Sequence, residues 1–77
     1  MGAPWNIETV TLRVTKHFAL DYMRSWYWDF HDLRDAIRVA YKIEKIGNSK
    51  FEMYVQKAGF KKIIAVYDTL ENELLCI

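Results

Sequence analysis

From Tyr41 onward the chain is cut into four β-type runs, Tyr41 to Ile46, Lys50 to Gln56, Lys62 to Asp68 and Glu73 to Ile77. The breaks between them are Gly47-Asn48-Ser49, Ala58-Gly59-Phe60 and Leu70-Glu71-Asn72. Breaks this short join neighbouring antiparallel strands, so these runs read as hairpins in series. Pairing Tyr41 with Val55 and Ile43 with Met53 sets all four on one face, which requires an odd-length loop, most simply Gly47-Asn48-Ser49. The opposite face then carries Lys42, Glu44, Ile46, Lys50, Glu52 and Tyr54. The third run is apolar on both sides, with Ile63, Ala65 and Tyr67 against Ile64 and Val66, as a central strand must be.

The first half obeys two other periods. From Glu8 to Lys16 apolar Val10, Leu12 and Val14 alternate strictly with Thr9, Thr11, Arg13 and Thr15, the pattern of a half-buried strand. From His17 the spacing changes to three and four (Phe18, Leu20, Met23, Tyr27), which predicts a helix over about Lys16 to Trp26 with Thr15 as its N-cap. A second helix starts at the N-cap Asp29, places Asp32 and Asp35 near its positive end, and has Phe30, Leu33, Ile37 and Ala40 as its buried stripe. Arg34 and Arg38 are expected on its outer side. The order β-α-α-β-β-β-β predicts an α+β two-layer sandwich, with two helices packed on one face of a mainly antiparallel sheet and the other face open. Residues 1–6 read as a flexible N-terminal arm and 7–77 as one domain.

A chain of 77 residues that is 52% hydrophobic is too short for two domains and too apolar for a disordered segment. The single cysteine, Cys76, forms no internal disulfide, which predicts a cytoplasmic protein held together by its core. The longest apolar run, Ile63 to Tyr67, falls far short of the roughly 20 residues of a membrane span, so no membrane partner is expected. His17, His31 and Cys76 lack metal-ligand spacing, and Gly47 and Gly59 are isolated turn residues and not a phosphate cradle; neither metal nor cofactor is expected.

The strand ending Val14-Thr15-Lys16-His17, the helix containing Ala19-Leu20-Asp21-Tyr22-Met23-Arg24, the second helix Asp32-Leu33-Arg34-Asp35-Ala36-Ile37 and the β meander together resemble the small domains related to the BrnT and RelE toxins. The resemblance runs from about Thr9 to Ile77. Its motif is a histidine at the strand-to-helix junction followed by the Met23-Arg24 pair, with Tyr22 and Trp26 where that group carries arginines. It implies a RelE-like fold and, as in some relatives, a metal-independent ribonuclease toxin neutralised by a cognate antitoxin.

Under that reading His17 is the catalytic candidate, because an imidazole ionises near neutrality and can carry a proton in RNA cleavage. A junction histidine can equally hydrogen-bond local backbone. The net charge is only +1, but Tyr41 to Tyr67 holds six lysines against Glu44 and Glu52. Arg24, Lys42, Tyr54, Lys61 and Lys62 are therefore candidate contacts to single-stranded RNA, combining phosphate-binding cations with a stacking ring. Lysines on exposed strands also serve to discourage aggregation. The run Trp26-Tyr27-Trp28, with residues about 100° apart on a helix, cannot all face one core. One reading has Tyr27 and Phe30 filling the core while the tryptophans wrap the turn; the other makes Trp26 and Trp28 an interface for a homodimer or a partner protein.

Overall fold

The structure, a computed structural model, describes residues 3–77. Five strands, β1 (Thr11–Val14), β2 (Lys42–Lys45), β3 (Lys50–Gln56), β4 (Phe60–Asp68) and β5 (Glu73–Cys76), form one mixed sheet in the order β1-β5-β4-β3-β2. The β2–β3, β3–β4 and β4–β5 pairs are antiparallel, and β1 lies parallel to β5. The fold is thus α+β. The apolar β4 is interior, as its two-sided hydrophobicity requires, and the apolar β5 is held between β1 and β4. Ile43 pairs with Met53 in the register read from the sequence, and Ile46 N–H closes the 47–49 loop by donating to Lys50 O at 2.8 Å.

Alternate residues of these strands point to one face and are buried there: Leu12, Phe51, Met53, Val55, Ile63, Ala65, Leu74 and Cys76. The helices cover that face. The first, α1, is a π-helical stretch over Phe18–Met23 that runs into one α-helical turn, Arg24–Trp26; the second, α2, spans Phe30–Arg38. Phe18 and Met23 from α1 and Leu33, Ala36 and Ile37 from α2 complete the core. Burial of each such large side chain stabilises the fold by about 1.5–3 kcal/mol.

The start of α1 fits expectation, since the Thr15 hydroxyl accepts the Phe18 N–H at 3.1 Å. Its periodicity does not. Backbone bonds between residues five apart, such as Arg24 N–H to Ala19 O, rotate Phe18 and Met23 onto the same side, whereas a regular α-helix would diverge them. Leu20 is left exposed. The helix closes with a left-handed Tyr27 (φ 58), while Tyr27 N–H donates to Arg24 O and Trp28 N–H to Met23 O, the paired bonds of a Schellman ending. Tyr27 is therefore thrown outward at 92% exposure while Trp28 turns into the core, the reverse of the reading in which Tyr27 fills it. Phe30 is likewise exposed; it occupies the first position of α2, ahead of the stripe formed by Leu33, Ala36 and Ile37.

The N-terminal segment departs from the expected loose arm. Residues 1 and 2 lie outside the described residues, but Trp5 is buried edge-on against Phe51 and Tyr67, at ring distances of 5.3 and 5.7 Å. The strand expected from Glu8 begins only at Thr11, because Asn6 organises a turn by accepting the Glu8 N–H on its side chain and the Thr9 and Val10 N–H groups on its carbonyl. Arg34 donates to Ile7 O and Arg38 Nε to Glu8 Oε2 at 2.9 Å. These arginines fasten α2 to that turn and are not merely an outer decoration.

Candidate functional site

The uncovered face of the sheet carries the other half of each strand. Its middle is apolar and half-buried, formed by Ile64, Val66 and Leu75. Toward the β3–β4 hairpin, register sets Lys42 opposite Tyr54 and Tyr54 opposite Lys62, so three of the expected RNA contacts stand in one row across β2, β3 and β4. Lys42 Nζ lies 5.2 Å from the Tyr54 ring centre and 3.6 Å from Glu44 Oε2. Lys62 Nζ lies 3.6 Å from Glu52 Oε2, and the Tyr54 hydroxyl donates to Glu52. That hydrogen bond, with smaller contributions from Lys62 and Lys42, holds the Glu52 carboxyl below its ordinary range. The same bond pushes the Tyr54 hydroxyl up to about 12. Each lysine thus has a carboxylate beside it in the free protein.

Two aromatic residues that the sequence did not single out complete this end. Tyr41, 61% exposed, and Phe60, 73% exposed, have their rings 6.3 Å apart, and Tyr41 is 6.4 Å from Tyr54. Alternation assigns Tyr41 to the covered face beside Val55. It escapes because β2 starts one residue later and Tyr41 N–H takes Tyr54 O, breaking the alternation. Phe60 is the first residue of β4 and not part of the turn. Ala58 (φ 54) and Gly59 (φ 103) make the left-handed bend before it, and the pair Ala58-Gly59 ahead of an aromatic residue was the available signal.

The remaining candidates lie elsewhere. Lys61 neighbours Lys62 in sequence but shares the covered side with Ile63. Its ammonium donates to Lys57 O at 3.1 Å and Ala58 O at 2.7 Å, and sits 5.2 and 5.6 Å from the Trp26 and Trp28 rings. It ties the hairpin to the end of α1. Trp26 and Trp28 are 4.9 Å apart, with Trp28 buried and Trp26 half-buried against the core, so the exposed aromatic rings of that region are Tyr22, Tyr27 and Phe30. Arg24 is exposed on α1, in the helical layer on the other side of the sheet.

His17 is exposed at the start of α1, with Nδ1 2.6 Å from Asp21 Oδ2 and its ring edge-on to Tyr22 at 5.4 Å. Bonding of Nδ1 to a carboxylate leaves Nε2 as the outward nitrogen, the arrangement that orients a proton-transfer histidine. The strand that leads into it, β1, lies two strand spacings from β4 and four from β2, about 10 and about 19 Å at about 4.8 Å per spacing, and α1 packs on the opposite face of the sheet from the row. His17 and the Lys42–Tyr54–Lys62 row are therefore two separate groups.

Two further groups are accounted for structurally. Asp29, His31 and Asp32 bring ligand-type atoms within 4.8 Å of one another. The carboxylates form a reciprocal capping box, with Asp29 Oδ1 accepting Asp32 N–H at 2.8 Å and Asp32 Oδ2 accepting Asp29 N–H at 3.1 Å. Burial pushes the Cys76 thiol up to about 12, which makes it an inert core residue. No helix of the described residues is long and apolar enough to cross a membrane. Comparison of the chain with protein-family models, with curated proteins and with solved structures finds no match.

Proposed function

We propose that this chain is a toxin-type domain of the RelE- and BrnT-like kind that binds single-stranded RNA on its open sheet face, in the cytoplasm, where a lone reduced thiol persists. The observation that carries the reading is the cluster of Tyr41, Tyr54 and Phe60 between Lys42 and Lys62. Exposed rings on a sheet offer stacking platforms to unpaired bases, and the two ammonium groups exchange Glu44 and Glu52 for phosphates as the strand settles. Lys61 and Arg24 have no part in this binding. Retardation of an end-labelled single-stranded RNA, measured at two salt concentrations with a chelator present, tests it. Each base stacked on an aromatic ring contributes about 1–3 kcal/mol, so Tyr41→Ala with Phe60→Ala should weaken binding by at least about tenfold. Unchanged retardation by that double variant would refute the reading.

A second reading rests on the His17–Asp21 contact. In it His17 carries a proton in metal-independent RNA cleavage, at a distance along the strand from the stacking cluster. Cleavage in the chelator arm that is lost in His17→Ala supports it, and binding without cleavage removes it. Exposed Tyr27, Leu20 and Phe30 on the helical side leave that layer as the surface on which an antitoxin or other protein partner would act.

A further inference from the structure

The sheet has two edges, and β2 forms one of them. Because Ile46 N–H donates inward to Lys50 O, the even-numbered positions of β2 face β3, and Ile43 and Lys45 turn their backbone N–H and C=O groups outward. Along this edge lies a hollow of about 210 Å³ lined by Ala40, Tyr41, Lys42 and Ile43. Exposed apolar side chains gather at its two ends, Val39 and Tyr41 before the strand and Ile46 after it. An edge with free outward groups is a template for another strand, and edges are ordinarily kept from pairing by shortness, by charges that repel a partner or by covering segments. Here the charges alternate instead, as Lys42, then Glu44, on one face.

We infer that β2 pairs antiparallel with β2 of a second copy about a two-fold axis through Ile43, joining two five-stranded sheets into one of ten strands. This register sets Ile43 opposite Ile43 as a hydrogen-bonded pair that uses the outward groups. It sets Lys42 of each copy opposite Glu44 of the other at the close, non-hydrogen-bonded positions, where opposite charges attract best. The neighbouring register that also satisfies the backbone, with the axis through Glu44, puts two like carboxylates face to face and is disfavoured. A two-fold axis normal to the sheet keeps both open faces on the same side. The two Tyr41–Tyr54–Phe60 clusters then flank the seam on one continuous surface. The pairing itself rests on the edge and not on RNA binding.

Sedimentation equilibrium of the full chain, without nucleic acid, tests the inference from about 1 µM to about 1 mM, a range suited to the affinity of a small interface. Wild-type protein should approach twice its 9.2 kDa mass. Lys42→Glu leaves only acidic residues at the two charged positions and Glu44→Lys leaves only basic ones, so each variant alone should dimerise at least about tenfold more weakly. An equimolar mixture of the two should regain the mass of a pair. Circular dichroism of each variant confirms that it is folded. A wild-type chain that stays monomeric throughout, a dimer indifferent to both reversals, or a mixture that fails to recover would each overturn the proposal.

Discussion

The two faces of this sheet are made from alternate residues of the same five strands, and they use side-chain chemistry in opposite ways. On the covered face Met53, Val55, Ile63 and Leu74 are fully enclosed by helices, so shape decides. On the open face Ile64, Val66 and Leu75 are only half-buried, and the polar residues around them hold one another: Lys42 with Glu44, Lys62 with Glu52 and Arg13 with Glu73. Exposed pairs of this kind contribute little to stability. What the difference teaches is that enclosed packing and exposed polar pairing are divided by a one-residue offset along each strand. Lys61 and Lys62 show it most directly. One is enclosed by two indole rings and two carbonyls, while its neighbour points to solvent beside a single carboxylate.

The division can be broken by truncation. Leu33→Ala, on the covered side, should cost about 3 kcal/mol in urea unfolding, whereas Ile64→Ala, on the open side, should cost about 1 kcal/mol. Equal losses would mean that the open face is covered in solution. A sharper test uses the adjacent lysines. Lys61→Met should lower stability by about 1 kcal/mol through loss of its stacking on Trp26 and Trp28 and leave RNA retardation unchanged, and Lys62→Met should do the opposite. Were both variants to weaken RNA binding equally, the offset would have no functional meaning. Within the helical cover, Tyr27→Gly relieves a left-handed backbone that a tyrosine tolerates poorly. It should raise the urea midpoint by an amount equivalent to about 1 kcal/mol.

The smallest effect concerns pH. Tyr54 is raised by its bond to Glu52, so its contribution is complete below about pH 10 and lost as pH rises through about 12. Glu52 is lowered, so its contribution is present above about pH 4.3 and lost as acid protonates it. Absorbance titration at alkaline pH should find Tyr54 ionising late, and Glu52→Gln should return it toward the ordinary value. A titration that Glu52→Gln leaves unchanged would remove the Tyr54–Glu52 bond from the account.

How much of this was legible in the sequence follows from which periods are strict. Strand alternation is a two-residue rule, and it located the β2–β3 register, the interior position of β4 and the open-face placement of Lys42 and Tyr54. The helical period is looser. In α1 a few bonds spanning five residues were enough to bury Phe18 and Met23 together, expose Leu20 and Tyr27, and turn Trp28 inward. Breaks in alternation were equally hidden. Tyr41 left the covered face through one backbone hydrogen bond to Tyr54 O, and Phe60 joined a strand because Ala58 accepted a left-handed conformation. Lys61 was assigned to the wrong side because two successive lysines look alike until the strand parity is known. Trp5 read as part of an arm because the aromatic slot between Phe51 and Tyr67 is formed by strands distant in sequence.

The parallel partnership of β1 with β5 also orders the events of biosynthesis. Thr11 pairs with Glu73 and Val14 with Cys76, and β1 has no other strand beside it. The hairpins from β2 to β4 can therefore zip on their own, while β1, made before them, has no strand partner until β5 is made and enters between it and β4. The pairing of β1 is thus the most non-local in the sheet, and the partly folded chain exposes an unpaired strand to chaperones and proteases until β5 arrives.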